Sequence, residues 1–208
     1  MLPRRHFLQV GLTAIAAIPV LGGLVRPARA GGSATADRAA AALPLHVVIF
    51  DEQIPQSVAF AQAAAARGAR IAGFRGGDAT PIWYHDIDLA WRERPVAIAG
   101  LTRHGPMFVF EQMAVTRGLR VVARAEHRAR AEGRCEHMVA TAPAEASAWV
   151  QALAGQGNES WASTVGHLVT GCAAQAGPGT RARVSTPAAG FDHAEPLFTW
   201  VIAPVSRA

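Results

Sequence analysis

The feature that most constrains the fold is a twelve-residue segment that occurs twice, fifty positions apart. Residues 60–71 read FAQAAAARGARI and residues 110–121 read FEQMAVTRGLRV, with Phe, Gln, Arg-Gly, Arg and a β-branched residue at the same offsets. In each copy a helical pattern stops at a glycine, Gly68 or Gly118, which suits the left-handed position that ends many helices. The match fits either an internal duplication or two uses of one helix-to-strand loop, and both predict strand–helix–strand units.

Apolar runs rich in branched residues lie before and after these helices. Residues 45–50 (LHVVIF) and 96–100 (VAIAG) precede them, and residues 69–74 and 119–128 follow them, so all four are predicted strands. Pro55 marks a helix start, because proline is favoured in the first helical turn. Strand–helix–strand connections join parallel neighbours. The chain is therefore predicted to be an α/β protein with three layers and a mostly parallel sheet, Rossmann-like or flavodoxin-like.

The remaining segments are less regular. Residues 135–142 either pair with the preceding strand as a hairpin or add another parallel strand. Two helices are expected, at 143–155 and from 159 to about 172. A last strand is expected at 197–203, with a Gly/Pro/Arg loop before it. The connection 75–95, which holds Trp83, Tyr84, His85 and Trp91, is long for a compact domain, so it is either functional or contains a short helix.

The first residues carry an export pattern. Residues 4–8 read RRHFL and precede an apolar run, 9–25, which glycines and a proline interrupt. This arrangement resembles the twin-arginine (Tat) signal, a receptor-read address that is set aside before fold reasoning. The small residues Ala28 and Ala30 form a cleavage pattern that would leave Gly31 as the new N-terminus. The signal residues are Arg4, Arg5, Phe7 and Leu8, and the cleavage residues are Ala30 and Gly31.

The resemblance implies export of a folded protein by the Tat translocase to the periplasm or outside the cell. Proteins of this class hold a cofactor inserted in the cytoplasm, travel with a partner that holds one, or fold fast. The apolar run is too short and too weakly hydrophobic for a permanent membrane span, so no membrane-spanning segment is expected after cleavage. The expected organisation is a signal peptide at 1–30, a flexible leader at 31–44 and a single α/β domain at 45–208.

Composition excludes several classes of function. Residues 31–208 contain 16 arginines and 15 acidic residues, so the net charge of +5 falls to +1 and no nucleic-acid partner is expected. The chain has no lysine, which excludes a Schiff-base or P-loop lysine. Cys135 and Cys172 are the only cysteines. They either form a disulfide, which export would permit, or are two separate buried thiols.

Polar residues gather where the predicted strands end. In open α/β sheets, ligands bind outside the carboxyl ends of the strands. Five residues at these ends are therefore the candidate ligand-binding set: Asp51, Asp78, Thr102, His104 and His127. Trp83, Tyr84 and Trp91 either cap such a site and stack on a flat ligand, or form the apolar underside of the connection or a partner interface.

Each candidate also has a plainer interpretation. Asp51 and Asp78 are either paired carboxylates that bind hydroxyls or move protons, or simple loop caps. Thr102 and His104 either serve an anion at the next helix N-terminus or belong to an ordinary capping loop. The pairs Glu126-His127 and Glu136-His137 suggest metal ligands, but no full ligand set accompanies them, so a solvated hairpin is favoured and no metal is predicted.

Two classes of function follow. The favoured hypothesis is an exported accessory or ligand-binding α/β protein, as a subunit or escort of a cofactor-bearing periplasmic oxidoreductase. The alternative is a periplasmic enzyme with its own nucleotide-like or metal cofactor at the strand ends. No complete catalytic motif is present, and the sequence assigns no cofactor, substrate or catalytic residue.

Overall fold

The computed structural model describes residues 42–156, 160–173, 179–188 and 190–205. The signal residues Arg4, Arg5, Phe7 and Leu8, the cleavage residues Ala30 and Gly31, and the leader up to residue 41 lie outside the described residues. The strands are β1 (Leu45–Asp51), β2 (Ile71–Phe74), β3 (Ala97–Thr102), β4 (Leu119–Arg130), β5 (Arg134–Thr141), β6 (Thr180–Pro187) and β7 (Leu197–Pro204). The helices are α1 (Pro55–Ala66), α2 (Thr80–Ile82), a π-helical segment (Trp83–Ile87), α3 (Asp88–Glu93), α4 (His104–Val115), α5 (Pro143–Ala154) and α6 (Trp161–Val169).

The seven strands form one mixed sheet in the order β2-β1-β3-β7-β4-β5-β6. β1 is parallel to β2 and to β3. The other four pairings are antiparallel. The prediction of an α/β fold is confirmed, but the prediction of a mostly parallel sheet is wrong for the described strands.

Connection length and the late position of β7 explain three of the four antiparallel pairings; β5 and β6 are antiparallel although α5 and α6 lie between them in the chain. β4 and β5 are separated by one short turn, so they form a hairpin, and such tight connections give antiparallel pairs. β7 comes last in the chain and lies between β3 and β4, antiparallel to both. Only β1, β2 and β3 are joined by helical crossovers that give parallel neighbours.

Apolar clusters lie on both sides of the sheet. The first joins α1, α5 and α6 to one side through residues such as Phe60, Trp149 and Trp161. The second joins α4 and the helices after β2 to the other side through residues such as Phe110 and Trp200. β3 is buried along its whole length and β7 along all but its last residue, as expected for central strands covered on both sides.

The two repeated segments end as their sequence predicts. Gly68 and Gly118 adopt φ angles of 86° and 76°, the left-handed region that glycine enters at little cost. The helices α1 and α4 stop just before them, and β2 and β4 begin within three residues. The equivalent phenylalanines, Phe60 and Phe110, are buried in different clusters. The same local ending therefore serves helices on opposite sides of the sheet.

The long connection 75–95 is helical from Thr80 to Glu93, as the second of its two interpretations predicted. Asp86 lies in its π-helical part and anchors that part through two ion pairs, because its carboxylate lies 2.6 Å from His46 and 2.6 Å from Arg70. Burial raises the pKa of Asp86, but the bonds from Arg70 and His46 outweigh it and leave that pKa below its usual value. Trp91 is buried and donates to the Val96 carbonyl at 3.0 Å, so it belongs to the underside of the connection.

One strand was not predicted. Residues 180–187 were expected to lie in a loop, but they form β6, an edge strand that pairs with β5 over its whole length. Its sequence, TRARVSTP, alternates exposed arginines with partly buried apolar residues, which is a strand pattern of period two. In the part of the chain that the structure describes, no helix is long and apolar enough to cross a membrane.

Candidate functional site

The loops after β1, β2 and β3 meet at one edge of the sheet because the three strands are parallel. Asp51 and Thr102 are the last residues of β1 and β3, and Asp78 follows β2 by four residues. β1 lies between β2 and β3, so the chain reverses its direction of winding there. Such a switch point is where open α/β sheets usually bind ligands.

Asp51 is buried and organises the first of these loops. Its backbone N–H donates to Ser57 Oγ at 2.9 Å, and the Ser57 hydroxyl donates to the Leu101 carbonyl on β3. Its own Oδ1 accepts the Gln53 N–H at 3.0 Å. The carboxylate therefore caps the turn, which fits the loop-cap alternative, and it is the Ser57 hydroxyl that ties the start of α1 to β1 and β3.

An ion pair and a hydrogen bond join the loop after β2 to the loop after β1. Arg75 Nε lies 2.5 Å from Glu52 Oε2, and the Gly76 N–H donates to Gln53 Oε1 at 2.7 Å. Asp78 is exposed, and its Oδ1 accepts the Thr80 N–H at 2.9 Å. Hydrogen bonds from the side chain and backbone of Thr80 lower the pKa of Asp78, so it carries a negative charge at neutral pH.

Thr102 is buried, and its hydroxyl both accepts and donates a hydrogen bond within the protein. It accepts the Trp200 Nε1–H at 3.1 Å and donates to the Arg103 carbonyl at 2.9 Å. Trp200 itself lies against Gly100, where an added Cβ would come within 2.4 Å of the indole ring. Thr102 thus positions the central tryptophan of the second cluster.

His104 opens α4 and is exposed. Its ring stacks on Phe108 with centroids 5.9 Å apart, and meets the edge of Phe198 at 5.5 Å. It therefore forms part of an aromatic group at the start of α4.

A cleft of about 490 Å³ lies between the loop after β2 and α4. Tyr84 is 61 % exposed, Phe108 49 % and Val109 46 %, which is unusual for side chains of this size. Asp78 is the carboxylate at this cleft. The lining residues are Gly77, Asp78, Ala79, Thr80, Trp83 and Tyr84 on one wall, and Gly105, Pro106, Phe108, Val109, Phe110 and Met113 on the other.

His127 lies on the opposite side of the sheet. Its ring stacks on Trp161 of the first cluster with centroids 4.5 Å apart, whereas Thr102 bonds to Trp200 of the second cluster. The predicted set is therefore split. Asp78 lines the cleft, Asp51 and Thr102 support its edge of the sheet, His104 stacks on the cleft residue Phe108, and His127 is separate.

His127 faces His137 across the β4–β5 hairpin. Their Nδ1 atoms lie 2.6 Å apart, and each Nε2 lies 2.8 Å from a threonine hydroxyl, Thr199 for His127 and Thr186 for His137. The Thr186 hydroxyl donates to the Pro187 carbonyl, so it accepts the proton of His137 Nε2. When both imidazoles are neutral, His137 Nδ1 is then the acceptor and His127 Nδ1–H donates to it.

Burial supports this assignment. It holds the pKa of His127 well below its usual value, with a further decrease from His137, and it lowers the pKa of His137 to about 4. The expected hairpin is present, but its histidines are buried rather than solvated. Within the described ranges, no three His, Cys, Asp or Glu side chains are placed to hold a metal ion.

The two cysteines are separate buried thiols. Burial raises the pKa of Cys135 to about 12 and that of Cys172 further still, so both stay protonated. Of the two alternatives drawn from the sequence, the structure therefore has the second, without a disulfide between them.

Sequence reasoning missed the α4 wall of the cleft. Residues 106–113 (PMFVFEQM) could have indicated it, because they place apolar side chains on more than one side of a helix. Met107 and Phe110 are buried, whereas Phe108 and Val109 are exposed. A helix that is apolar on more than one side has a second surface to cover.

No protein-family model, curated protein or solved structure matches this chain.

Proposed function

We propose that this chain is an exported α/β protein that binds a flat, largely apolar ligand in the cleft between α4 and the loop after β2. The expected Rossmann-like or flavodoxin-like winding supports this location, because the β2-β1-β3 half of the sheet has the strand order of the flavodoxin type. The observation that carries the proposal is the group of half-exposed large side chains, Tyr84, Phe108 and Val109, around one cavity.

The size and lining of the cleft indicate the kind of ligand. Small-molecule sites commonly measure about 300–1,000 Å³ and are apolar with a few polar groups. Aromatic walls favour a planar ring system that stacks on them. Because Asp78 is ionised, it favours a ligand that offers an N–H or O–H donor and disfavours one with a phosphate at that position.

The biological role that we propose is accessory, as a subunit or escort of a cofactor-bearing oxidoreductase. The export signal and the lack of a complete catalytic motif support this role. In the described chain Asp51 and Thr102 are engaged in internal hydrogen bonds, which leaves little machinery for an enzyme with its own cofactor.

Riboflavin, riboflavin 5′-phosphate and adenosine are suitable first probes, with binding followed by quenching of tryptophan fluorescence, since Trp83 lines the cleft. We expect riboflavin to bind more tightly than its phosphate. Phe108→Ala removes one wall and should weaken binding about tenfold or more, since burying a large apolar side chain is worth about 1.5–3 kcal/mol.

Val115→Ala is the matched control, because Val115 lies on the same helix, is 48 % exposed and does not line the cleft. Equal effects of the two substitutions, or tighter binding of the phosphate than of riboflavin, would contradict the assignment of the cleft. Failure of all three probes to bind would exclude flat ligands of these classes.

A further inference from the structure

The antiparallel half of the sheet has an open side covered with arginines. Cross-strand partners share a side, and the register places β4, β5 and β6 residues in rows such as Arg124–Ala140–Arg181 and Glu126–Met138–Arg183. We call this surface the arginine face. It comprises Arg124, Arg128 and Arg130 of β4, Arg134 of β5, Arg181 and Arg183 of β6, and the glutamates Glu126 and Glu136.

In the part of the chain that the structure describes, most side chains of the arginine face are exposed to solvent. α5 packs on the other side of β5 and β6, where Trp149 and Leu153 meet the first cluster. The side chains of Arg128, Arg130 and Arg183 are 52 %, 50 % and 65 % exposed. Next to α4 the face opens into a groove of about 490 Å³, whose lining includes Arg124.

Charge on the described chain is strongly asymmetric. The arginine face holds six arginines and two glutamates, whereas the other described residues include eight arginines and eleven acidic residues. One side of a nearly neutral protein is therefore positive and the remainder negative. Such a distribution orients an approaching partner of opposite charge.

The guanidinium groups are held in place by neighbours. Glu126 pairs with Arg128, and Glu136 bonds Arg130 at 3.0 Å while lying 3.9 Å from Arg183. Arg124 lies over the ring of Phe198, 4.9 Å from its centre. Groups that are already oriented lose less entropy when they bind a carboxylate in the two-bond geometry that arginine prefers.

The residues outside the described ranges bring little negative charge that could neutralise this face. Outside the described residues the chain has only two acidic residues, Asp37 and Glu159, against six arginines. A second copy that used the same face would bring like charges together. No large apolar side chain is exposed on the described part of the face, so it lacks the stacking platform of single-strand nucleic-acid binders.

We infer that the arginine face is a docking surface for an acidic patch on a partner protein, recognised through its Asp and Glu carboxylates. The inference rests on residues other than those of the cleft, which lies between α4 and the loop after β2.

A fluorescein-labelled peptide of ten glutamates is the probe, titrated at low ionic strength against the full mature chain. We expect binding that weakens with added salt, and about a tenfold higher Kd for the double variant Arg128→Gln/Arg183→Gln. The matched control is Arg67→Gln/Arg94→Gln, which removes two exposed arginines at the ends of α1 and α3. The control should bind the peptide like the wild type.

Equal weakening in both double variants, or in neither, would overturn the inference. Tighter binding of a ten-nucleotide thymidylate strand than of the peptide would identify a nucleic-acid surface instead, and tighter binding of phosphatidylglycerol vesicles would identify a membrane surface. Phe108→Ala should keep full peptide binding, so failure of the cleft and failure of the arginine face give different results.

Discussion

Acidification is expected to destabilise this protein through the His127–His137 pair. In the folded state one proton lies between Nδ1 atoms 2.6 Å apart, and a second proton there would place two N–H groups against each other. Burial lowers the pKa of His137 from 6.5 to about 4. The unfolded chain therefore takes up the proton first, and the free energy of unfolding falls as the pH decreases below 6.5.

The magnitude follows from that pKa difference. Each pKa unit corresponds to about 1.4 kcal/mol, so lowering the pH from 7 to 4 should remove about 3 kcal/mol through His137 alone. The pKa of His127 is also lowered, which adds to the loss. Asp78, Asp86 and Glu136 have lowered pKa values as well, but carboxylates lose their contribution at more acidic pH than histidines do.

Urea unfolding followed by tryptophan fluorescence at several pH values between 7 and 4 measures this loss. His137→Gln keeps one donor and one acceptor but cannot titrate, so the slope of stability against pH should decrease even if the variant is less stable overall. His85→Gln removes an imidazole at an exposed position and should keep the wild-type slope. A wild-type protein equally stable at pH 7 and pH 4, or an unchanged slope in His137→Gln, would refute the reasoning.

Two further predictions concern packing and export. Gly166→Ala places a Cβ 2.3 Å from the Phe60 carbonyl where α6 crosses α1, so thermal unfolding should show a loss of about 1–3 kcal/mol, whereas Gly105→Ala in α4 meets nothing within 4 Å and should lose none. The paired substitution Arg4→Lys/Arg5→Lys should retain the protein in the cytoplasm of a Tat-competent bacterium, measured by cell fractionation; equal periplasmic amounts of the variant and wild type would argue against the twin-arginine route.

Local signals predicted local structure well. The helix endings at Gly68 and Gly118 and the buried strands β1 and β3 follow from residue types within a few positions of each element. Strand order and direction depend on partners far along the chain. β7 pairs with β3 across about a hundred residues, and no nearby residue indicates that pairing.

The candidate site was predictable to a similar extent. The ends of the predicted strands pointed to Asp51, Asp78 and Thr102, which lie at one edge of the sheet in the structure. The side of the sheet that His127 faces was also readable, because Ala123, Ala125 and His127 alternate with charged residues along β4. The exposure of Phe108 and Val109 on α4 could not be predicted from the sequence, because it depends on how α4 packs between the sheet and the helices after β2.

The position of β7 has a consequence for biosynthesis. Among the strands that the structure describes, β7 alone pairs with both β3 and β4, so it joins the hydrogen bonding of the two halves of the sheet. While the ribosome is still adding residues 197–204, β3 and β4 each lack this partner, so each half of the sheet has an unpaired edge. Whatever route the protein takes afterwards, its native state is reached only after translation has passed Pro204.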